Sequence, residues 1–375
     1  MLITAFSIIT SLVALYFLIL TLLNLHFFRR NSFSATLRTG PRVSVMVPAR
    51  NEEKNIAQCL DSLLNQTYQN YEIIVLDDNS TDRTWEILTD YQKRYPHLLR
   101  IYRGKPLQED WYGKPYALQQ ISEHAVGDIY LFTDADTLHE STSIAFAVTN
   151  MTKHQVDYLS AYPRHLVYSF GEKITVPSMY IMTSMVLPLF LVPRTNMPTC
   201  SFSIGQYVVF KADVFKKMGG YEALKKEVTD DVLMVRHLKK LGYKTIFIDA
   251  KDHVACRMYT SLKEGFVGIS RSVFPSVEYN SWQFCSMTIF LFCIVLLPLF
   301  ILFKQVVTGG EHILLSALPV LLFLSFWTLK MKSRRMLSCA PLYPILFMTL
   351  IGMGFLSYIK MGFGNGIAWK GRLVK

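Results

Sequence analysis

The run Ile129-Tyr130-Leu131-Phe132-Thr133-Asp134-Ala135-Asp136 decides how this chain is read. A short apolar stretch predicts a buried strand, and it stops abruptly at two carboxylates one residue apart. In an open α/β sheet, ligands bind in the crevice beyond the carboxyl ends of the strands. Asp134 and Asp136 therefore stand where a site belongs. Two hard oxygen donors at i and i+2 can share one divalent cation, and such a cation commonly binds substrate phosphates as well. A solvated turn after a strand would carry the same Asp-x-Asp, so the neighbouring sequence has to decide.

Upstream, Val43-Ser44-Val45-Met46-Val47 predicts a first strand, stopped by Pro48 and followed by the turn Ala49-Arg50-Asn51-Glu52-Glu53 and a helix over 55–66. Residues 71–76 form a second strand ending in Asp77-Asp78. Asn79-Ser80-Thr81-Asp82 then offers capping side chains for a helix over 84–94. A weaker strand over 99–102 precedes the loop Trp111-Tyr112-Gly113-Lys114-Pro115 and a helix over 116–124, and a further helix over 141–153 follows the opening strand. Strands alternating with helices imply right-handed βαβ units on a mostly parallel sheet, an α/β fold. Asp78 and Asp134 then face one crevice. Two plainer readings compete: Asp77-Asp78 as a capping turn, and Lys114 as an exposed loop lysine rather than a point charge for a phosphate.

Residues 1–28 contain no Asp, Glu, Lys or Arg, and three further charge-free apolar runs cover 284–303, 313–329 and 336–359. A span needs about 20 apolar residues, within a range of about 17–25. The chain therefore divides into an N-terminal anchor (1–28), a soluble domain (29–282) and a C-terminal membrane region of about three helices (283–375). The first run lacks a basic leader and a small-residue cleavage site, so it is expected to be an anchor. Arg29, Arg30, Arg38 and Arg42 follow it directly, which predicts a multi-pass protein of the cell membrane with its soluble domain in the cytoplasm. Lys360, Lys370, Arg372 and Lys375 then break the pattern, because three late crossings would leave that tail outside. Either one late segment is re-entrant or the tail is an exception.

The formal net charge is +11, much of it close to the apolar runs, where anionic lipid attracts Lys and Arg. No basic-aromatic repeat or finger spacing supports nucleic-acid binding. The six cysteines are scattered with no Cys-x-x-Cys pair, which predicts reduced, packing thiols. No histidine forms a metal-ligand pair or a nucleophile-base triad with recognisable spacing.

In the second half of the soluble domain, 174–193 is strongly apolar. A complete crossing there would put Asp134 and Asp231 on opposite sides of the bilayer, so it reads as an interfacial segment where a lipid could enter or, equally, as a core helix. Residues 203–210 predict a strand returning to the site. Asp230-Asp231 opens a helix over 230–241, a position that also suits simple capping.

The ordered set Val47-Pro48-Ala49-Arg50-Asn51-Glu52-Glu53, Val75-Leu76-Asp77-Asp78-Asn79-Ser80-Thr81-Asp82, Gly113-Lys114 and Asp134-Ala135-Asp136 resembles the signature of family 2 glycosyltransferases, over about 42–271. The resemblance implies a GT-A fold, a Rossmann-like nucleotide-binding half joined to an acceptor half. It implies that Pro48, Ala49, Arg50 and Glu52 hold the nucleotide of a nucleotide-sugar donor and that Asp78 contacts the base. Lys114 would lie along the donor, Asp134 would face the ribose or the metal, and Asp136 would ligate Mg²⁺ or Mn²⁺ across the diphosphate. Asp230-Asp231 resembles the family's acidic pair, with Asp231 as general base in an inverting transfer and Asp230 as its positioning neighbour. The Gln-x-x-Arg-Trp motif of processive members is missing, which argues for a single transfer. Arg257, and secondarily Arg271, would substitute as diphosphate ligands or else contact lipid headgroups. Trp111-Tyr112-Gly113-Lys114 and the stretch from Arg257 to Gly265 are most similar to bacterial carotenoid glycosyltransferases of the diaponeurosporenoate type and to hopanoid-associated ones. That implies glucose passing from UDP-glucose to a membrane terpenoid. A polyprenyl-phosphate or ceramide-type transferase, a polysaccharide synthase and a non-catalytic nucleotide-binding scaffold are the alternatives.

Overall fold

The computed structural model describes the chain except Lys226, Val228, Thr229 and Lys375, and except the side chains of Asp230, Trp369 and Val374. Helix α1 (Leu2–Asn31) leads into β1 (Val43–Ala49), α2 (Ile56–Leu64), β2 (Tyr71–Asp77), α3 (Thr84–Arg94), β3 (Leu99–Arg103), α4 (Gly113–Ser122), β4 (Ile129–Thr133), β5 (Thr137–His139) and α5 (Ser143–His154). Then come β6 (Tyr158–Tyr162), β7 (Arg164–His165), α6 (Phe170–Thr175), β8 (Tyr207–Lys211), α7 (Ala212–Lys217), α8 (Asp230–Lys240), β9 (Thr245–Asp249), β10 (Val254–Cys256) and α9 (Leu262–Val273). Three long apolar helices follow, α10 (Ser281–Thr308), α11 (Ile313–Ser333) and α12 (Tyr343–Phe363), and the hairpin β11 (Ile367–Trp369) and β12 (Arg372–Val374) ends the chain.

The main sheet has the order β3-β2-β1-β4-β8-β6-β9. Every strand runs the same way except β8, which is antiparallel to both neighbours. The chain leaves β1 towards β2 on one side and returns to β4 on the other, so the crevice opens at the carboxyl end of β1, where such sheets bind ligands. The reversal of β8 has a direct consequence. Its amino-terminal end lies beside the carboxyl ends of β4 and β6, which brings residues 203–206 to the acidic strand ends. A small second sheet, β5-β10-β7, extends this edge and carries Cys256 and His165.

Strands buried on both faces explain the continuous apolar runs in the sequence. Val43, Val45, Val47, Ile73, Val75 and Leu131 pack on one face with α2 and α5; Met46, Ile74, Leu76, Tyr130 and Phe132 pack on the other with α4 and α7. The membrane helices belong to the first core. Phe28 of α1 packs on Phe247 of β9 and Tyr162 of β6, and Phe17 packs on Phe326 of α11.

The apolar segment 174–193 forms neither a span nor one regular helix. It folds into short 3₁₀ and π turns between Val176 and Arg194, with Pro177, Pro188 and Pro193 preventing a continuous α-helix. Asn24 of α1 holds it, its amide donating to the Thr183 and Leu187 carbonyls at 2.8 and 2.9 Å and its oxygen accepting from the Leu189 amide. Tyr180, Leu189 and Val192 are buried there, whereas Met182 and Val186 face outward.

Helix α12 bears on the basic tail. In the connection that leads from the end of α11 to it, Arg334 donates to Asp249 at 2.6 Å and to the Pro163 carbonyl, and Arg335 pairs with Asp252. Just after it, Lys370 and Arg372 reach Glu52 and Asp78. Both ends of α12 are therefore fastened to the soluble domain, and its length packs on α6 and α9.

His165 is enclosed beside Tyr180 and Gln206, and burial lowers its pKa to about 4. A histidine held neutral in the fold contributes stability above its unfolded value of about 6.5, which is lost as pH falls towards 4. His165→Asn should therefore narrow its stability gap to the parent chain, or reverse it, between pH 6.5 and 4. Melting curves in one detergent check this, and a gap that stays constant with pH would contradict it.

Candidate active site

Four elements deliver the site. Pro48-Ala49-Arg50 leave β1, and the Asp78 amide donates to the Ala49 carbonyl at 2.7 Å, tying the first two strand ends together. Asn79 takes a left-handed φ of 56°, a conformation Asn tolerates better than most residues, and the chain turns sharply there. Arg50 donates to the Asp78 carbonyl at 2.5 Å and to that of Asn79 at 3.2 Å. Glu52 is buried; its amide donates to Thr84 Oγ1, and its carboxylate accepts from Asn55 at 2.8 Å.

At the end of β4, Asp134 forms a 2.7 Å ion pair with Lys114 from the first turn of α4. Lys114 Nζ also lies against Gly205, where a Cβ would come within 3.1 Å of it. The Gly205 amide donates to Asp231 Oδ2 at 3.0 Å, and the Val232 amide to Asp231 Oδ1 at 2.9 Å. The sheet end, the α4 loop and the start of α8 thus meet, with Lys114 close enough to both acids to act on each. Burial raises the Asp231 pKa and Lys114 opposes that rise.

Asp136 sits deeper. Burial, then the charges of Asp134 and Glu52, push its pKa up to about 7. Its Oδ1 accepts from Cys256 Sγ at 3.6 Å. Gln206 Nε2 donates to that sulfur, and His165 Nε2 lies 2.9 Å from Gln206 Oε1. A buried polar chain from His165 to Asp136 fixes the Asp-x-Asp end from below. Gln206, Cys256 and Tyr259 were not foreseen from the sequence. No spacing links them, and they meet only because β10 pairs with β5 and β8 is reversed.

The residues fit a divalent ion of the hard type. Asp134 and Asp136 supply carboxylate oxygens at one strand end, and the described residues form no group of three or more ligating side chains. Two protein carboxylates with the remainder from phosphate oxygens and water is how Mg²⁺ is commonly held.

Most of the expected site residues are linked at the strand ends: Arg50 to Asp78, Lys114 to Asp134 and Asp231, and Asp136 to the charges of Asp134 and Glu52, with Pro48 and Ala49 at the end of β1. Arg257 corrects an expectation. It is held by Glu172 at 2.8 and 3.2 Å and stacked on Tyr168, because Glu172 is fully buried in the capping box of α6 and needs a cation. Arg271 lies in the last turn of α9 and acts on buried Tyr259, which also feels Asp136 and Asp134. The side chain of Asp230 falls outside the described residues.

A sheet with a switch point at acidic strand ends, one reversed strand and Asp231 beside them has the GT-A architecture. Residues 44–219 match the family described as Glycosyl transferase family 2, and among the described residues four helices apolar and long enough to cross a membrane flank that stretch. The chain is 33% identical over 139 residues to the 4,4'-diaponeurosporenoate glycosyltransferase of Staphylococcus haemolyticus (strain JCSC1435), covering 36% of each. It is 25% identical over 233 residues to the enzyme of that name from Staphylococcus aureus (strain USA300), covering 60% of this chain and 59% of that one. In both cases the chain spans less than two thirds of the relative's length. Among solved structures, the mannosyltransferase PcManGT from Pyrobaculum calidifontis, in complex with GDP-Man and Mn²⁺, superposes with a TM-score of 0.53 at 16% identity, covering 96% of this chain and 99% of that one, a likeness of fold.

Proposed function

We propose that this chain is an inverting, divalent-metal-dependent glycosyltransferase that moves a hexose from a nucleoside-diphosphate sugar to a lipid acceptor at the membrane. The observation that carries the reading is the convergence of Asp134, Lys114 and Asp231 in one crevice beside Asp136, Asp78 and Glu52. Glucose from UDP-glucose and a terpenoid carboxylate or hydroxyl are the substrates proposed, in keeping with the names of the carotenoid-glycosylating relatives.

Asp78 and the turn from Pro48 to Glu52 bind and orient the nucleotide. Asp136 and Asp134 would hold a divalent ion, which when bound would supply Lewis-acid stabilisation for the leaving diphosphate. Lys114 places a positive charge between donor and base. Asp231 takes the proton from an acceptor hydroxyl as that oxygen attacks the anomeric carbon; two backbone N–H groups hold its carboxylate in place. One displacement inverts the anomeric centre.

On the membrane side, α1, α10 and α11 are the crossings of this reading, with the catalytic domain on the cytoplasmic face. α12 does not complete a crossing, supported by the attachment to the soluble domain of both the connection before it and the hairpin after it. The tail then returns to the cytoplasmic side and the positive-inside pattern is kept. In a chain stripped of its six cysteines, a single cysteine at Asn365 should react with a membrane-impermeant maleimide only in inverted vesicles, and one at Gly310 only in intact cells. Labelling of Asn365 from outside would refute the topology.

The enzymatic reading is tested by incubating detergent-purified protein with Mn²⁺, UDP-glucose and a terpenoid carboxylic acid and weighing the product by mass spectrometry. A product heavier by one hexose supports it. Nucleotide binding with neither transfer nor donor hydrolysis, for any lipid extract offered, would mark a non-catalytic scaffold.

A further inference from the structure

The C-terminal hairpin lies on the donor crevice. Lys370 pairs with Glu52, and Arg372 grips Asp78 with both guanidinium nitrogens, engaging both carboxylate oxygens, one at 2.9 Å. Arg50 Nε donates to the Lys370 carbonyl at 3.0 Å, fastening the hairpin turn to the end of β1. Arg372 crosses the α4 loop at Gly113, where any Cβ would collide with the guanidinium. Arg372 is one fifth exposed and Lys370 one third, while their carboxylate partners are buried.

We propose that Lys370 and Arg372 are donor-binding residues, a cationic clamp that passes from Glu52 and Asp78 onto the diphosphate when a nucleoside-diphosphate sugar binds. This rests on the glycosyltransferase reading above. Three observations carry it. First, Arg372 occupies both oxygens of Asp78, so a base that takes its place on that carboxylate releases the arginine beside the donor. Second, Arg50, Lys370 and Arg372 converge on a few ångströms of surface, and Arg50 and Arg372 repel each other there. Glu52 and Asp78 balance two of these cations, and a ligand of several negative charges suits the group once those pairs open. Third, the charge of Lys370 acts on Asp136 as well as on Glu52, so the hairpin's cations reach the acidic strand end that would face the diphosphate. Lys114 and Arg372 flank the same Gly113 loop. The hairpin also hangs from α12, which packs on α6, α9, α10 and the turn over 176–180. Donor capture is thereby tied mechanically to the helices nearest the lipid.

The test uses the full chain in detergent with Mn²⁺, measuring binding of UDP and of uridine by calorimetry to the parent, Lys370→Gln, Arg372→Ala and Arg372→Lys. The clamp requires UDP affinity to fall about tenfold or more in Lys370→Gln and Arg372→Ala, with partial recovery in Arg372→Lys, while uridine affinity holds or rises because Asp78 is freed. If the parent binds UDP and the variants bind it equally well, the proposal fails. Tighter UDP binding by the variants would also overturn it and would make the hairpin a plug. Lys370→Gln, on a partly exposed hairpin, decides the matter even where Arg372→Ala does not fold. A parent chain that binds neither UDP nor GDP would instead remove the glycosyltransferase reading itself, and the clamp with it.

Discussion

Asp136→Asn should reduce sugar transfer by about a thousandfold or more while leaving the protein folded. Removing a metal ligand forfeits several kcal/mol of charge stabilisation on the leaving group, and each 1.4 kcal/mol is about tenfold in rate. The side chain keeps its size and still accepts from Cys256, so packing is preserved. In the donor-free protein, Asp136 lies buried near two other carboxylates, and removing its charge relieves that crowding. Transfer assays paired with melting curves check both halves. Mn²⁺-dependent UDP binding should vanish in the same variant, and turnover within tenfold of the parent would refute the assignment of the Asp-x-Asp end.

Asp231→Asn has the second large effect, and its size reports on the acceptor. For an alcohol, loss of the proposed base should cost about 10²–10⁴ in kcat, with donor binding unchanged. For an acceptor already ionised as a carboxylate, no proton has to be removed and the loss should stay below about tenfold. Assaying one purified variant with a terpenoid alcohol and a terpenoid acid separates these cases. Equal, small losses with both would show that Asp231 is only a helix-capping residue. Asparagine still accepts one of the two backbone hydrogen bonds, from Gly205 or Val232, so the start of α8 stays in place.

Much of the first half was legible because its signals are local. Residues 84–94 and 129–133 form the helix and strand expected of them, and Pro48 falls within a strand that ends one residue later. Helix α4 begins three residues earlier than its apolar pattern indicated, at Gly113, because Pro115 is well suited to a first turn. Strands β6 and β9 were not foreseen. Tyr158–Tyr162 and Thr245–Asp249 are short, and strand periodicity in such segments is hard to tell from a buried helical turn. The tail was read only for its charge, and nothing in Trp369-Lys370-Gly371-Arg372 announces a partner some three hundred residues away.

The sequence by itself determined the alternation of strands and helices, the acidic strand ends and the four apolar helices. Each is written in the periodicity or composition of a contiguous stretch. Only the tertiary structure decided which charged groups meet. It gave Arg257 to Glu172 and Arg372 to Asp78, and it returned both ends of α12 to the same domain. Ion pairing depends on distance through space and on burial, and neither is a property of the order of residues along the chain.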